Sequence, residues 1–169
     1  DEHRRCELQE GNLVMSPSPA PDHVYAMGEL YVQLRAQVPG HLEVLQDVDV
    51  DLCLAAADLP GFVRRPDLVV VEKSARTRTR NGGLIRASEV WVVIEIVSPG
   101  SRRLDHVIKH VEYADAGIRY YWIVDIEPPV SLLPYHLAEA FGYIDDGLVT
   151  GSFKTGVPFP VDLDLTRLR

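Results

Sequence analysis

The sequence predicts an α/β (α+β) fold in which helices flank a mixed β-sheet. Two runs rich in β-branched residues, 68–71 and 90–97, have the length and composition of strands buried on both faces. Two segments with apolar residues at spacings of three and four, 22–38 and 101–116, are typical of amphipathic helices. Short apolar segments separated by turn residues towards the C-terminus indicate additional antiparallel strands. Strands and helices in this order predict a single domain over residues 1–169.

The N-terminal third of the chain predicts a strand pair, a helix and a further strand. Residues 7–16 form the pair, with Glu10-Gly11-Asn12 as its turn. The proline-rich stretch 16–21 is an extended connector, and Asp22 is the expected N-cap of a helix that ends near Val38. Apolar and acidic residues then alternate towards the end of 42–52, which predicts one half-buried strand near a sheet edge.

The middle of the chain carries the two buried strands, which we place at 67–71 and 90–97. Between them, 73–86 is rich in arginine and threonine around Asn81-Gly82-Gly83, and it predicts either a hairpin or a mobile loop. After the second strand, Ser101 is the expected cap of the helix 101–116. The apolar stripe of that helix consists of Leu104, Val107, Ile108 and Val111.

The C-terminal part predicts strands at 120–124, 130–137, 140–144 and 148–153. An extended segment and a short final helix follow and would cover an edge of the sheet.

Charge and composition restrict the function classes. The net charge of −8 argues against indiscriminate binding to nucleic acid, because phosphates are bound through Lys and Arg. Segment 73–86, however, has no acidic residue and holds five cations that are candidates for DNA contact: Lys73, Arg76, Arg78, Arg80 and Arg86.

Compartment and redox chemistry follow from absences in the sequence. No signal peptide and no run of about 18 apolar residues is visible, so we expect a cytoplasmic protein without a membrane span. Cys6 and Cys53 are expected to be reduced bystanders. A glycine-rich phosphate loop, zinc-ligand spacing and a serine-hydrolase elbow are all missing.

The two buried strands each hold a carboxylate that ordinary core packing would exclude. Asp67 opens the first strand, and Glu95 lies inside Val-Val-Ile-Glu-Ile-Val. Two carboxylates on neighbouring strands form a hard-oxygen site suited to Mg²⁺ or Mn²⁺, which the backbone carbonyl of Ile96 could complete. Lys109 could hold a water or stabilise developing charge, with Asp105 or waters adjusting the position of its ammonium group. This pattern predicts metal-dependent hydrolysis of a phosphodiester.

Simpler interpretations stay open for several of these residues. Asp67 could be a turn residue at the start of a strand, and Asp105 and Lys109 have the i, i+4 spacing of a common surface ion pair. His23 could reach the site as a base or third ligand, or it could be satisfied at the end of its helix. Glu95 is harder to dismiss, because an ionised carboxylate in such a run must be paired.

With these residues placed, the chain resembles the Uma-type family of restriction endonucleases, a branch of the PD-(D/E)XK nuclease superfamily. The resemblance covers nearly the whole chain and rests on the order of several motifs. They are 10–17 (EGNLVMSP) with His23, 65–71 (RPDLVVV), 95–99 (EIVSP), 101–103 (SRR) followed by Asp105 and Lys109, Tyr113-Ala114 with Gly117, and 121–125 (YWIVD).

The resemblance implies a restriction-endonuclease-like core with Asp67 and Glu95 as the acidic metal ligands of a Mg²⁺-dependent DNA endonuclease. The superfamily pattern has Lys two positions after the second acid, where this chain has Val97; within the branch, the charge comes from the following helix, which indicates Lys109. Nucleases of this kind often act as homodimers. The alternatives are a catalytically inactive module that binds nucleic acid or protein on the same fold, and a hydrolase of small phosphoesters.

Overall fold

The computed structural model describes residues 6–15, 18–56, 58–98, 100–138 and 140–169, so residues 16 and 17 of the predicted connector and Pro99 lie outside it. The strands are β1 (Cys6–Gln9), β2 (Asn12–Met15), β3 (Leu42–Gln46), β4 (Val50–Asp51), β5 (Val63–Arg64), β6 (Leu68–Glu72), β7 (Ile85–Arg86), β8 (Val90–Val97), β9 (Tyr120–Asp125), β10 (Ser131–Ala138), β11 (Gly142–Asp145), β12 (Val149–Thr150), β13 (Ser152–Thr155) and β14 (Val161–Asp164). The helices are α1 (Pro21–Arg35), α2 (Lys73–Thr79), α3 (His110–Asp115), a π-helix (Leu104–Lys109), and 3₁₀ helices at Ala87–Glu89 and Leu165–Leu168.

A mixed sheet forms the centre of the molecule, in the order β11-β10-β9-β8-β6-β3, with β12 beside β10. Its strands pair antiparallel except β8 and β9, which run parallel with Glu95 opposite Ile123. The predicted mixed sheet flanked by helices is therefore confirmed. No helix among the described residues is long and apolar enough to cross a membrane.

The two faces of this sheet are covered by different elements. Side chains at even positions of β8, such as Ile94, pack against α1 and the hairpin β13–β14. Odd positions, such as Val93, face α3 and a second sheet in the order β2-β1-β5-β4-β7. By the alternation of strands, Asp67 and Glu95 belong to this second face. Both carboxylates therefore project towards the π-helix and the smaller sheet.

Three local predictions were wrong. Segment 73–86 starts with helix α2 rather than forming a hairpin or a mobile loop. The single strand predicted for 42–52 divides into β3 and β4, because Asp47 adopts a positive φ of 51° that turns the chain from one sheet to the other. Asp22 does not cap α1; Ala20 is the N-cap, and Pro21 occupies the first turn, where its missing N–H has no cost.

The helical segment after β8 exposes the face that its sequence pattern places in the core. Val107 and Val111 are each 54% exposed, whereas Asp105 and Lys109 are buried. The first half of the segment is a π-helix, a form that is rare and frequent at functional sites. A hydrogen bond from the Tyr121 hydroxyl to the Asp105 carbonyl (2.9 Å) ties this turn to β9. The buried polar face of this segment therefore contributes Asp105 and Lys109 to the candidate active site.

Candidate active site

Asp67 and Glu95 lie opposite each other at one end of the central sheet. The antiparallel register of β6 and β8 pairs Leu68 with Ile94, so that the next position sets Asp67 beside Glu95. The pairing of these two strands makes two acids that are 28 positions apart in the sequence neighbours on one face of the sheet. The predicted convergence is seen in the geometry, with Asp67 immediately before β6 rather than inside it.

Asp67 is held from two sides. Its Oδ2 accepts a hydrogen bond from the Ile96 N–H (2.7 Å), and its Oδ1 lies 2.8 Å from His23 Nε2 at the start of α1. The hydrogen bond with Asp67 raises the pKa of His23 and outweighs burial, which lowers it. His23 therefore contacts a proposed metal ligand rather than a helix end.

The carbonyl of Ile96 lies where the β6–β8 ladder has ended. The N–H and C=O of one strand residue point to the same edge, and the Ile96 N–H points to Asp67 on the β6 side. Continuing the register would set Pro66 opposite Ile96, and proline has no N–H to donate. The Ile96 carbonyl is therefore directed towards the side of β8 on which Asp67 lies, and no backbone N–H of the neighbouring strand donates to it there.

Glu95 is 3% exposed, and its Oε1 accepts two hydrogen bonds. The donors are Lys109 Nζ (2.9 Å) and the Tyr113 hydroxyl (2.7 Å). Burial raises the pKa of Glu95 to about 8, Lys109 opposes this rise, and the carboxylates of Asp67 and Asp105 add to it. No described residue makes a hydrogen bond to Oε2, which leaves that oxygen available.

The ammonium group of Lys109 lies among three carboxylates. Its Nζ is 2.9 Å from Glu95 Oε1, 3.3 Å from Asp105 Oδ1 and 3.8 Å from Glu7 Oε1. Burial alone lowers the pKa of Lys109, but these carboxylates outweigh it and raise the pKa, so Lys109 is charged. Asp105 Oδ1 is buried and, despite the short distance, has no aligned hydrogen-bond donor. The interpretation of Asp105 and Lys109 as a surface pair is therefore wrong.

A second buried network supports this centre from the smaller sheet. Arg64 on β5 is fully buried and donates two hydrogen bonds to Glu112 (2.6 and 2.7 Å) and one to Glu7 on β1 (2.9 Å). Sequence analysis did not single out Glu7, Arg64 or the Glu95 contact of Tyr113. For Glu7, a charged residue between apolar neighbours in Cys-Glu-Leu was the available indication; Arg64 lies between Val63 and Arg65 and gave no such signal.

The charge balance favours a bound cation. Five buried or half-buried carboxyl groups, those of Glu7, Asp67, Glu95, Asp105 and Glu112, face two permanent cations, Lys109 and Arg64, and the imidazole of His23. The described residues contain no cluster of three or more His, Cys, Asp or Glu side chains arranged around one ion. Mg²⁺ needs no such cluster, since it usually keeps several waters and takes one or two carboxylates. Asp67, Glu95 and the Ile96 carbonyl fit that donor set.

The basic segment is not part of this arrangement. Helix α2 begins directly after the far end of β6, so Lys73 lies roughly 20 Å along the strand from Asp67. Within the segment, Arg76 pairs with Glu43 and Arg78 with Glu89.

Val97 is buried on the same face as Glu95, so position 97 itself supplies no positive charge to the site. A pocket of about 960 Å³ lies on the other face beside Trp122 and Phe153.

Comparison with known proteins shows the family and the fold of the chain. The model of the family described as "Uma2: Putative restriction endonuclease" matches residues 1–140. A crystal structure described as "a putative nuclease belonging to DUF820", from Anabaena variabilis ATCC 29413, superposes with a TM-score of 0.71 at 17% identity. The match covers 96% of this chain and 88% of that chain, and it shows a shared fold. No curated protein matches the sequence significantly.

Proposed function

Because the chain belongs to the Uma2 family of restriction endonuclease-like proteins, we propose that it is a metal-dependent endonuclease that hydrolyses DNA phosphodiester bonds with Mg²⁺ or Mn²⁺. One observation carries the proposal: Asp67 and Glu95 lie opposite each other on one sheet face, beside the buried ammonium of Lys109. This combination is costly for a protein interior unless it is used, since buried charges must be paired or must bind a cation.

Asp67, Glu95 and the Ile96 carbonyl are the groups that would hold the ion. When bound, such an ion neutralises the non-bridging phosphate oxygens and lowers the pKa of an attacking water. The chain's own groups orient these ligands: the Ile96 N–H and His23 fix the Asp67 carboxylate, and Tyr113 fixes Glu95.

Lys109 holds the Glu95 carboxylate and carries the positive charge that the superfamily places two residues after the second acid. The helix supplies it because the π-helical turn directs Lys109 inward, towards Glu95. In the proposed mechanism its ammonium stabilises the negative charge that develops on the phosphate or holds the attacking water. Asp105 and Glu7 keep that ammonium charged and in place.

A catalytically inactive binding module is the second candidate. Three of the four oxygens of Asp67 and Glu95 already have protein partners, and Val97 replaces the usual lysine. On this alternative, the acids stabilise the fold and bind no metal. The net charge of −8 also favours a protein partner over a nucleic acid.

Calorimetric titration of Mg²⁺ and Mn²⁺, with supercoiled plasmid cleavage on the same samples, separates the two candidates. Asp67→Ala and Glu95→Ala should each lose metal binding and nicking. Asp49→Ala is the matched control, because it removes an acid near the same sheet end that pairs with Arg65 rather than with the site. Wild-type protein that binds no metal and cuts no plasmid would establish the inactive module. Light scattering on these samples tests the predicted homodimer.

A further inference from the structure

Three arginines cluster at the sheet end that carries the proposed active site. Arg102 Nη1 lies 2.7 Å from Asp125 Oδ2 at the end of β9, and Arg169 Nη1 lies 3.3 Å from the Ile126 carbonyl and 3.9 Å from Glu127 Oε2. Arg103 follows Arg102 directly and is exposed. We call Arg102, Arg103 and Arg169 the arginine rim.

Arg102 lies on the same side of the sheet as the carboxylates. Asp125 pairs with Val97 in the parallel ladder, and both residues share the strand parity that directs Glu95 towards the π-helix. Val97 lies two residues after Glu95 on β8, and Asp125 lies beside Val97 on the neighbouring strand β9. Strand geometry therefore places Asp125 roughly 8 Å from Glu95.

The ion pairs of Arg102 and Arg169 are weak enough to be exchanged for contacts with phosphate. Arg102 is 52% exposed and Arg169 50% exposed, and their acidic partners are solvent-accessible. Pairs of this kind contribute little to stability. Among the described residues, Arg103 has no partner. A guanidinium group can donate two parallel hydrogen bonds to one phosphate, so each rim arginine can bind a phosphate group.

The basic segment lies at the opposite end of the sheet, and three of its cations also have partners. The Nε of Arg76 donates to both carboxylate oxygens of Glu43, and Arg78 donates to Glu89 and to the Leu84 carbonyl. Lys73 donates to the Gly40 carbonyl (2.6 Å). Lys73, Arg80 and Arg86 lack an ion-pair partner among the described residues. Phosphates bound there would be roughly 20 Å or more from Asp67.

From this placement we infer that the arginine rim, rather than segment 73–86, binds the phosphates of a nucleic-acid strand that flank the scissile bond. The inference rests on the proposed nuclease function. The rim arginines guide a polyanionic substrate past the carboxylates of an acidic protein.

The test measures binding of a fluorescent DNA duplex by anisotropy between 50 and 200 mM KCl, with Ca²⁺ in place of Mg²⁺ and a gel to verify that the duplex stays intact. The variants are Arg102→Gln/Arg103→Gln, Arg169→Gln, and Arg80→Gln/Arg86→Gln as the matched control. Loss of each phosphate contact should lower the slope of log K against log salt by about 0.9 and raise Kd at 0.1 M salt roughly 8-fold. The control pair should keep the wild-type slope.

The outcomes separate this inference from the proposed function. Unchanged slopes in the rim variants, or a loss confined to the control pair, overturn the inference while plasmid cleavage by the wild type still supports the nuclease. Wild-type protein that neither binds nor cuts DNA overturns both. Thermal unfolding of each variant verifies that a lost slope does not reflect a lost fold.

Discussion

Lys109 Nζ donates a hydrogen bond of 2.9 Å to Glu95 Oε1, and this bond links the π-helix to the central strand β8. Both groups are almost completely buried.

Lys109→Met should lower the rate of plasmid cleavage by about 10²–10³-fold, because the charge beside Glu95 is removed. Adding Val97→Lys should restore part of the rate, since position 97 lies two residues after Glu95 on the same sheet face. Single-turnover cleavage kinetics measure both effects. Cleavage by Lys109→Met at the wild-type rate would show that Lys109 is a structural group only.

Metal binding should release a proton near neutral pH. Burial raises the pKa of Glu95 to about 8, so the metal-free protein holds a proton on Glu95 below that pH, and a ligand must lose it. Affinity for Mn²⁺ should therefore rise between pH 6 and pH 8 and level off above it. Calorimetry at pH 7 in two buffers of different ionisation enthalpy counts the released protons; equal heats in both buffers would contradict the prediction.

Stability should depend on pH through His23. The hydrogen bond with Asp67 raises the pKa of His23 above 6.5. A raised pKa in the folded state stabilises the protein fully below the unfolded value and loses its effect as the pH rises through the folded value. In metal-free protein, His23→Gln should thus lower the free energy of unfolding more at about pH 5.5 than at about pH 9. Urea denaturation at the two values measures this difference, and an equal loss at both would refute the assignment.

Arg64→Met should destabilise the fold by about 3–5 kcal/mol, because it leaves the buried carboxylates of Glu7 and Glu112 without a counter-charge. Arg76→Met is the matched control: its partner Glu43 forms an exposed pair, and the loss should stay below about 1 kcal/mol. Urea midpoints at constant m-value report both changes. Similar losses in the two variants would mean that burial of Arg64 has no special energetic role.

Tyr113→Phe should weaken metal binding by roughly 10-fold, because one of the two donors to Glu95 Oε1 disappears while the ring stays packed. Tyr143→Phe removes a buried hydroxyl that donates to the Ile118 carbonyl, away from the carboxylates, and should leave the affinity unchanged. Calorimetric titration compares the two. Equal affinities would indicate that Lys109 alone positions Glu95.

Local patterns were sufficient for the elements whose neighbours are apolar. The runs around Val70 and Ile94 are strands, as their β-branched residues predicted, and the meander after Ser131 was also found. Segment 73–86 was mistaken for a hairpin or loop because Asn81-Gly82-Gly83 resembles a hairpin turn, whereas Lys73–Thr79 is helical and packs Ala75 into the core.

The acids of the site were visible in the sequence because a carboxylate in a buried strand is conspicuous. The sequence by itself thus determined a mixed sheet with Asp67 and Glu95 on adjacent strands. Tertiary structure decided which face of the helix after β8 turns inward, since periodicity favoured Val107 and Val111 over Asp105 and Lys109. That choice depends on partners such as Glu95 and Glu7, which lie elsewhere in the chain and lower the cost of burying an ammonium group; only folding brings them together.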